Sequence, residues 1–431
     1  MQTDVYDKPR LSEWFPGALG IVAVAVALRL LALAFDRTDL FVDEVQYWFW
    51  GQNLDFGYYS KPPLIGWLIR AVTDLAGSDA AFWVRMPGAV LHGVTALLLG
   101  ALAGRLAGRA AALWTVATYV TLPFVALGSV MISTDTVMAP SYAAALLFLF
   151  RTGEHRRLRD ALLTGVFAGL AFMAKYAAIY FLAGAGLSML LIPMLRPGWR
   201  GLVVMVLAFG AVISPNVIWN LSHDLTTVSH TMDNAGWVRH GASVDLASMA
   251  EFLLSQFGVF GPVTMAALLI AYLRARSPAQ VALVLLSVPA LLTVSVQALL
   301  DKAYANWAIA TYFAGTILAV SLMRPLWRWL SVGINTLLSL SLPVLIVLAP
   351  WPQVNDAPLL KRYLGRHELS VSILELAEAQ NLPVVSTDRD IVADLFYTGR
   401  DRTVPIYAAP EAGRPSSYYV QNRALPATKY T

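Results

Sequence analysis

Apolar stretches of about twenty residues recur along most of the chain, each closed by a short polar loop. That is the length a helix needs to cross a bilayer. The predicted spans cover about 19–35, 82–102, 110–127 and 136–150. Residues 161–195 are too long for one crossing and read as two, with Lys175 near the turn between them. Further spans cover about 202–219, 252–273, 279–299, 303–323 and 330–348. The sum is about eleven helices, an all-α polytopic membrane fold over residues 1–350. Two stretches break the pattern. Residues 36–80 form a long polar and aromatic loop in which amphipathic helices are expected, one of them started by Pro62-Pro63 and running through Leu75. From Trp351 the apolar runs stop, and residues 351–431 read as a small soluble region. There strand-like LPVVSTD and DRTVPIYA stand among helix-like segments, an α/β-like pattern.

Composition agrees with a membrane chain: 58% of the 431 residues are hydrophobic and 13% charged, where a soluble domain carries roughly twice that charge fraction. The absence of cysteine excludes disulfides, thiol catalysis and thiolate metal sites. The net charge of +4 is modest, and no patch suited to nucleic acid stands out. No small-residue cleavage site follows the first apolar run, so an uncleaved anchor is expected. Lys8 and Arg10 precede that run, and every second loop thereafter is rich in arginine: Arg105 and Arg109; Arg151, Arg156, Arg157 and Arg159; Arg196 and Arg200; Arg274 and Arg276; Arg324 and Arg328. Basic loops stay cytoplasmic. The intervening loops and the tail are therefore expected on the outer side.

The polar residues that fit no anchoring pattern gather on that outer side. The first loop holds FVDEVQYWFWGQNLDFGYYSKPP, with the adjacent carboxylates Asp43 and Glu44, the aromatic set Tyr47, Trp48, Phe49, Trp50, Tyr58 and Tyr59, and Lys61 before the double proline. Aromatic rings with polar tips suit the membrane–water boundary. Two readings fit the charges: an interfacial helix whose charges face water, or a carboxylate pair for acid/base work beside a lysine that holds an anion. Arg85 and Asp135 open the second and fourth spans, and Lys175 sits in GLAFMAKYAAIY with apolar neighbours. His223 and Asp224 lie in WNLSHDLTTVSHTMDN, and Lys302, Tyr304 and Asn306 in DKAYANW. Any one of the cations could be a snorkelling anchor; their gathering on one face argues for a site. His223 and His230 are seven apart, where helical metal ligands are more often three or four apart, so no metal site is assigned. His92 and His155 read as ordinary polar residues.

The pattern of DE, aromatics and KPPL in the first outer loop resembles the membrane-embedded class C glycosyltransferases. These include bacterial family-39-like enzymes, lipid A aminoarabinose transferases and, more distantly, protein O-mannosyltransferases. STDTVMAP, GLAFMAKY, PNVIWNLSHDLTTVSHT and YANWAIATY extend the resemblance over nearly all of residues 1–350. It implies a multi-pass inner-membrane enzyme with a periplasmic active site. Such an enzyme moves a monosaccharide from a polyprenyl-phosphate donor to a membrane-lipid or envelope-glycan acceptor. The match puts the catalytic acid position at Asp43, a second acidic position at Asp135, and donor-phosphate lysines at Lys61 and Lys175. Glu44, next to Asp43, is a candidate to orient a neighbour or hold a metal. Arg85, Tyr59, His223, Asp224, Lys302, Tyr304 and Asn306 are candidate substrate contacts. One base and a departing phosphate imply single displacement with inversion. Enzymes of this type differ in their need for a divalent metal, so a metal remains an option and no other cofactor is implied. A transporter or flippase of lipid-linked sugars is the alternative, but it needs polar groups reaching both faces. A polymerase or ligase would not carry DE…KPP.

Overall fold

The computed structural model describes residues 10–234, 244–413 and 415–426. Lys8, counted among the basic residues before the first span, lies outside them. Helix α1 (Leu11–Ala34) is apolar all round but buries one stripe, Trp14, Ala18, Val22, Arg29 and Leu33, at helical spacing. The first loop forms α2 (Val42–Gln52) and α3 (Leu64–Ala76), with Gly77 closing α3. Helix α4 (Ala81–Thr121) contains a break at Gly108, whose φ of 84° and ψ of −179° suit glycine alone. The chain doubles back there. A Cβ added to Gly100 would meet Val116 Cγ2 at 2.6 Å, and His92 Nδ1 lies 3.1 Å from the Tyr119 hydroxyl.

Helices α5 (Pro123–Val130) and α6 (Thr134–His155) meet at a bend of 120°. Then come α7 (Leu158–Ala174), α8 (Ile179–Leu191), α9 (Gly198–Ser222) and the short α10 (Thr226–Asn234). Helices α11 (Leu246–Phe260) and α12 (Pro262–Arg274) are bent by 113°. The bundle ends with α13 (Pro278–Leu300), α14 (Ala310–Leu322) and α15 (Pro325–Leu348). Five described helices are long and apolar enough to cross a membrane, or seven if each bent pair is one span. The chain is thus a polytopic helical membrane protein. Length and composition stop short of the eleven expected crossings for local reasons. Helix α4 holds two runs in one assignment. An extended Lys175 and the 3-10 turn Ala305–Ala308 shorten α8 and α14. The expected 110–127 span ends early at Thr121, ahead of Pro123, and the expected 252–273 span is broken at Gly261-Pro262.

Beyond the bundle, β1 (Gln353–Val354) and β2 (Ala357–Pro358) pair antiparallel. After α16 (Arg366–Gln380), strands β3 (Val384–Ser386) and β4 (Ile406–Ala408) pair in parallel, in the two segments expected to be strands. Helix α17 (Arg389–Thr398) connects them, and α18 (Tyr418–Arg423) follows. This region does not hang free: Val392, Ala393, Tyr418 and Tyr419 belong to the same buried core as the bundle.

Small residues let helices approach closely in a membrane, and the tightest case joins α7 to α9. A Cβ at Gly165 would lie 2.2 Å from the Met205 carbonyl oxygen and 2.9 Å from Ala208 Cβ. Gly165→Ala is therefore expected to cost about 1–3 kcal/mol through overpacking, read as a lower unfolding temperature in detergent. Gly186→Ala, with nothing within 4 Å, is the control and should leave that temperature in place.

Candidate active site

A cavity of about 1850 Å³ opens where the first loop, the α5–α6 bend, the α7–α8 break, α9, α10 and the C-terminal region meet. The breaks in the helices are what build it. At the first, Ser133 caps α6 by accepting the Thr136 N–H at 3.3 Å, which sets Asp135 in the opening turn facing the cavity. At the second, Lys175 ends α7 in an extended conformation and sends its ammonium across to Asp135, 2.7 Å from each carboxylate oxygen. Asn306 Nδ2 adds a longer contact of 3.4 Å to the same carboxylate. Both oxygens of Asp135 are thus committed.

The adjacent pair on α2 divides. Glu44, one of the most buried charges, turns inward. Its carboxylate takes the Arg85 guanidinium at 2.7 Å and accepts the backbone N–H of Phe41 at 2.9 Å and of Ile132 at 3.0 Å. Arg85 also bonds Asp36 Oδ2 at 2.6 Å and the Asp39 carbonyl at 2.8 Å. Arg85 does not line the cavity; its five donors are turned into the first loop, tying that loop to the start of α4. Asp43 faces the other way, nearly half exposed. Its Oδ1 accepts from Arg389 Nη2 at 2.6 Å, and among the described residues nothing bonds Oδ2.

Lys61 follows the Tyr58–Lys61 turn, where the Tyr58 N–H donates to the Lys61 carbonyl at 3.2 Å. Its side chain lines the cavity and forms no ion pair with any described residue. Burial, and then the nearby Lys175, push the Lys61 ammonium below its ordinary value, against the opposing pull of Asp43 and Asp135. Arg389 is shifted the other way: burial opposes its charge, but the charge and hydrogen bond of Asp43, together with Tyr419 and Tyr47, raise it.

Of the remaining candidates, Tyr59, Lys302, Tyr304 and Asn306 line the cavity. Tyr59 donates to the Pro415 carbonyl at 2.9 Å and packs on the His230 ring, with centroids 4.7 Å apart. Lys302 stands over the Tyr304 ring at 5.4 Å. His223 and Asp224 are exposed and outside the lining; the His223 ring stacks on Trp219 at 4.1 Å. Among the described residues no group of three or more His, Cys, Asp and Glu is placed to hold a metal. The aromatic set also departs from the expected interfacial belt. Trp48, Phe49 and Trp50 are buried, because the C-terminal region covers them: Phe396 lies 4.6 Å from Phe49 and Tyr397 5.0 Å from Trp48. Arg389, Gln46 and Arg362 line the cavity as well and were not singled out in the sequence. Arg389 lies 346 positions from Asp43, and no local pattern announces such a contact.

The profile for the dolichyl-phosphate-mannose-protein mannosyltransferase family matches residues 60–219. Lipid A galacturonosyltransferase RgtD of Rhizobium johnstonii is 46% identical over 412 residues, covering 93% of this chain and 86% of that protein. ArnT of Cupriavidus metallidurans shares the fold in two solved structures. Its apo structure aligns with a TM-score of 0.62 at 15% identity, covering 91% of this chain and 85% of that one. The structure bound to undecaprenyl phosphate gives 0.63 at 14%, covering 91% and 86%. The transporter alternative finds no support among these proteins. With its relative matched over nearly its full length, the chain belongs to the membrane-embedded class C, family-39-like glycosyltransferases, and its activity is sugar transfer.

Proposed function

We propose that the enzyme takes a sugar from a polyprenyl-phosphate donor and passes it to a lipid A-type acceptor at the outer face of the membrane. The observation that carries this is the pairing, in one cavity, of an Asp43 carboxylate oxygen and a Lys61 ammonium that, among the described residues, have no hydrogen-bond and no ion-pair partner respectively. The Asp43 oxygen accepts the proton of the acceptor hydroxyl as that hydroxyl attacks the anomeric carbon. The bond from that carbon to the donor phosphate oxygen breaks, and the phosphate keeps the electron pair. Lys61, with Lys175 beside it, stabilises the charge that grows there in a site of low dielectric. A single attack from the side opposite the phosphate inverts the anomeric centre. Asp135 holds Lys175 in place, and Glu44 with Arg85 acts as scaffold. Tyr59, Lys302, Tyr304 and Asn306 form the remaining wall.

Orientation rests on charge. Asp135 lies in the first turn of α6 and His155 ends it, about 30 Å apart at helical rise. The Arg105–Glu154 pair lies at that far end, so the cavity and the arginine-rich loops occupy opposite ends of the bundle. Arginine-rich loops stay cytoplasmic, which supports a periplasmic cavity and C-terminal region. Counting α4 as two crossings, each bent pair as one, and α7, α8 and α14 as one each gives eleven.

The similarity to RgtD supports a uronic acid as the sugar, and the ArnT complex supports the polyprenyl phosphate. Mass spectrometry of lipid A from cells with and without the gene tests the reading. The expected result is loss of one uronic acid residue from lipid A, together with accumulation of the polyprenyl-phosphate sugar. An unchanged lipid A profile with no donor accumulation would refute it.

A further inference from the structure

We propose that Arg389, supplied by the C-terminal region, is a positioning residue for Asp43: it fixes one carboxylate oxygen so that the other is presented to the acceptor. The inference rests on Asp43 being the base. Asp43 and Gln46 are three apart on α2 and so share a face. One guanidinium bridges them, with Nη2 at 2.6 Å from Asp43 Oδ1 and 3.0 Å from Gln46 Oε1, and Nε at 3.2 Å from Gln46 Oε1. A planar fork bound to two acceptors has its own plane fixed, and it fixes in turn the rotation of the carboxylate. Without it, a side chain nearly half exposed on the first turn of a helix is free to change rotamer.

The fold holds Arg389 in register. It is the first residue of α17, whose cap Asp388 accepts the N–H of Asp390 at 2.7 Å and of Ile391 at 3.1 Å. One turn or more further along, Phe396 and Tyr397 pack on Phe49 and Trp48 of α2 itself. The Tyr397 hydroxyl donates to the Asp79 carbonyl at 2.6 Å. Helix α17 is thus docked along the helix that carries the base, and the ion pair is one end of that contact. The aromatic run of the first loop thereby gains a purpose: it is the seat of the region that supplies the arginine. Nε and Nη2 of Arg389 are bonded to Gln46 and Asp43, so its charge is already paired with a carboxylate, whereas Lys61 has no ion-pair partner among the described residues.

The test is a double-mutant cycle on the full-length protein, with single-turnover transfer and donor binding measured for Arg389→Ala, Asp43→Asn and the double variant. If Arg389 acts through Asp43, Arg389→Ala should slow transfer by about 10²-fold, the usual loss when a reacting group is misplaced. Donor affinity should hold. In the Asp43→Asn background the same change should cost at most about twofold, because groups that act as a unit are not additive. Arg389→Lys, which keeps a charge but lacks the planar fork, should fall between. Equal losses in both backgrounds, no loss in the wild type, or loss of donor binding in Arg389→Ala would each overturn the proposal. An Asp43→Asn enzyme with near-normal rate would instead overturn the reading of Asp43 on which it stands.

Discussion

Replacing Asp43 with asparagine is expected to lower sugar transfer by about 10²–10⁴-fold, the range over which loss of a general base falls, with donor affinity unchanged. Size and hydrogen bonding are kept in Asp43→Asn, so α2 should stay folded; only proton acceptance is lost. The expectation is specific to Asp43 over Glu44 and Asp135, the two other acids singled out in the sequence that line the cavity, because both are committed. Asp135 gives both oxygens to Lys175. Glu44 is filled by Arg85 and two backbone N–H groups. Glu44→Gln should therefore act on stability, because removing one partner of a buried ion pair typically costs 3–5 kcal/mol, and should affect the rate only through the fraction folded. Transfer rates normalised to folded protein for the two variants separate these outcomes. A slow Glu44→Gln beside a fast Asp43→Asn would exchange their roles.

Lys61→Ala should act on the earlier step. Truncating one partner of a desolvated charge pair usually costs about 2–5 kcal/mol, so donor affinity should fall by at least about 30-fold. The depressed Lys61 ammonium also gives a pH signature. A phosphate is held by the charged amine, so affinity is full below the lowered value and is lost as pH rises through it, short of the ordinary lysine value of 10.5. Lys61→Arg should keep part of the affinity and lose that alkaline limb, because a guanidinium stays charged throughout. Binding titrations of the polyprenyl-phosphate sugar across alkaline pH check both points. Wild-type affinity in Lys61→Ala would reduce Lys61 to an interfacial anchor.

The helical membrane fold, the first-loop helices and several polar residues of the cavity wall were legible because each rests on a local signal. Runs of about twenty apolar residues mark helices, Pro62-Pro63 marks the start of α3, and an isolated charge in an apolar segment, as at Lys175, marks a polar site. What stayed hidden depends on contacts between distant segments. Asp43 and Glu44 are neighbours in sequence, and nothing local says which one turns inward to Arg85. The aromatic run looked like a membrane belt because burial under α17 and α18 leaves no local trace. His223 and Asp224 sat in a loop rich in polar residues, yet the chain turns there with both side chains exposed; His230, one helix on, reaches the cavity. Arg389 had no signal at all, since its partner is fixed only once the tail has folded onto α2.

Donor binding and transfer, measured on the same preparations of wild type, Asp43→Asn and Lys61→Ala, test the central claim most directly. If a polyprenyl-phosphate sugar is bound at Lys61 and its transfer is driven by Asp43, Asp43→Asn will bind the donor and fail to transfer. Lys61→Ala will bind it weakly and regain transfer only at high donor concentration. Normal binding and normal transfer in both variants would contradict the claim and place the chemistry elsewhere in the chain.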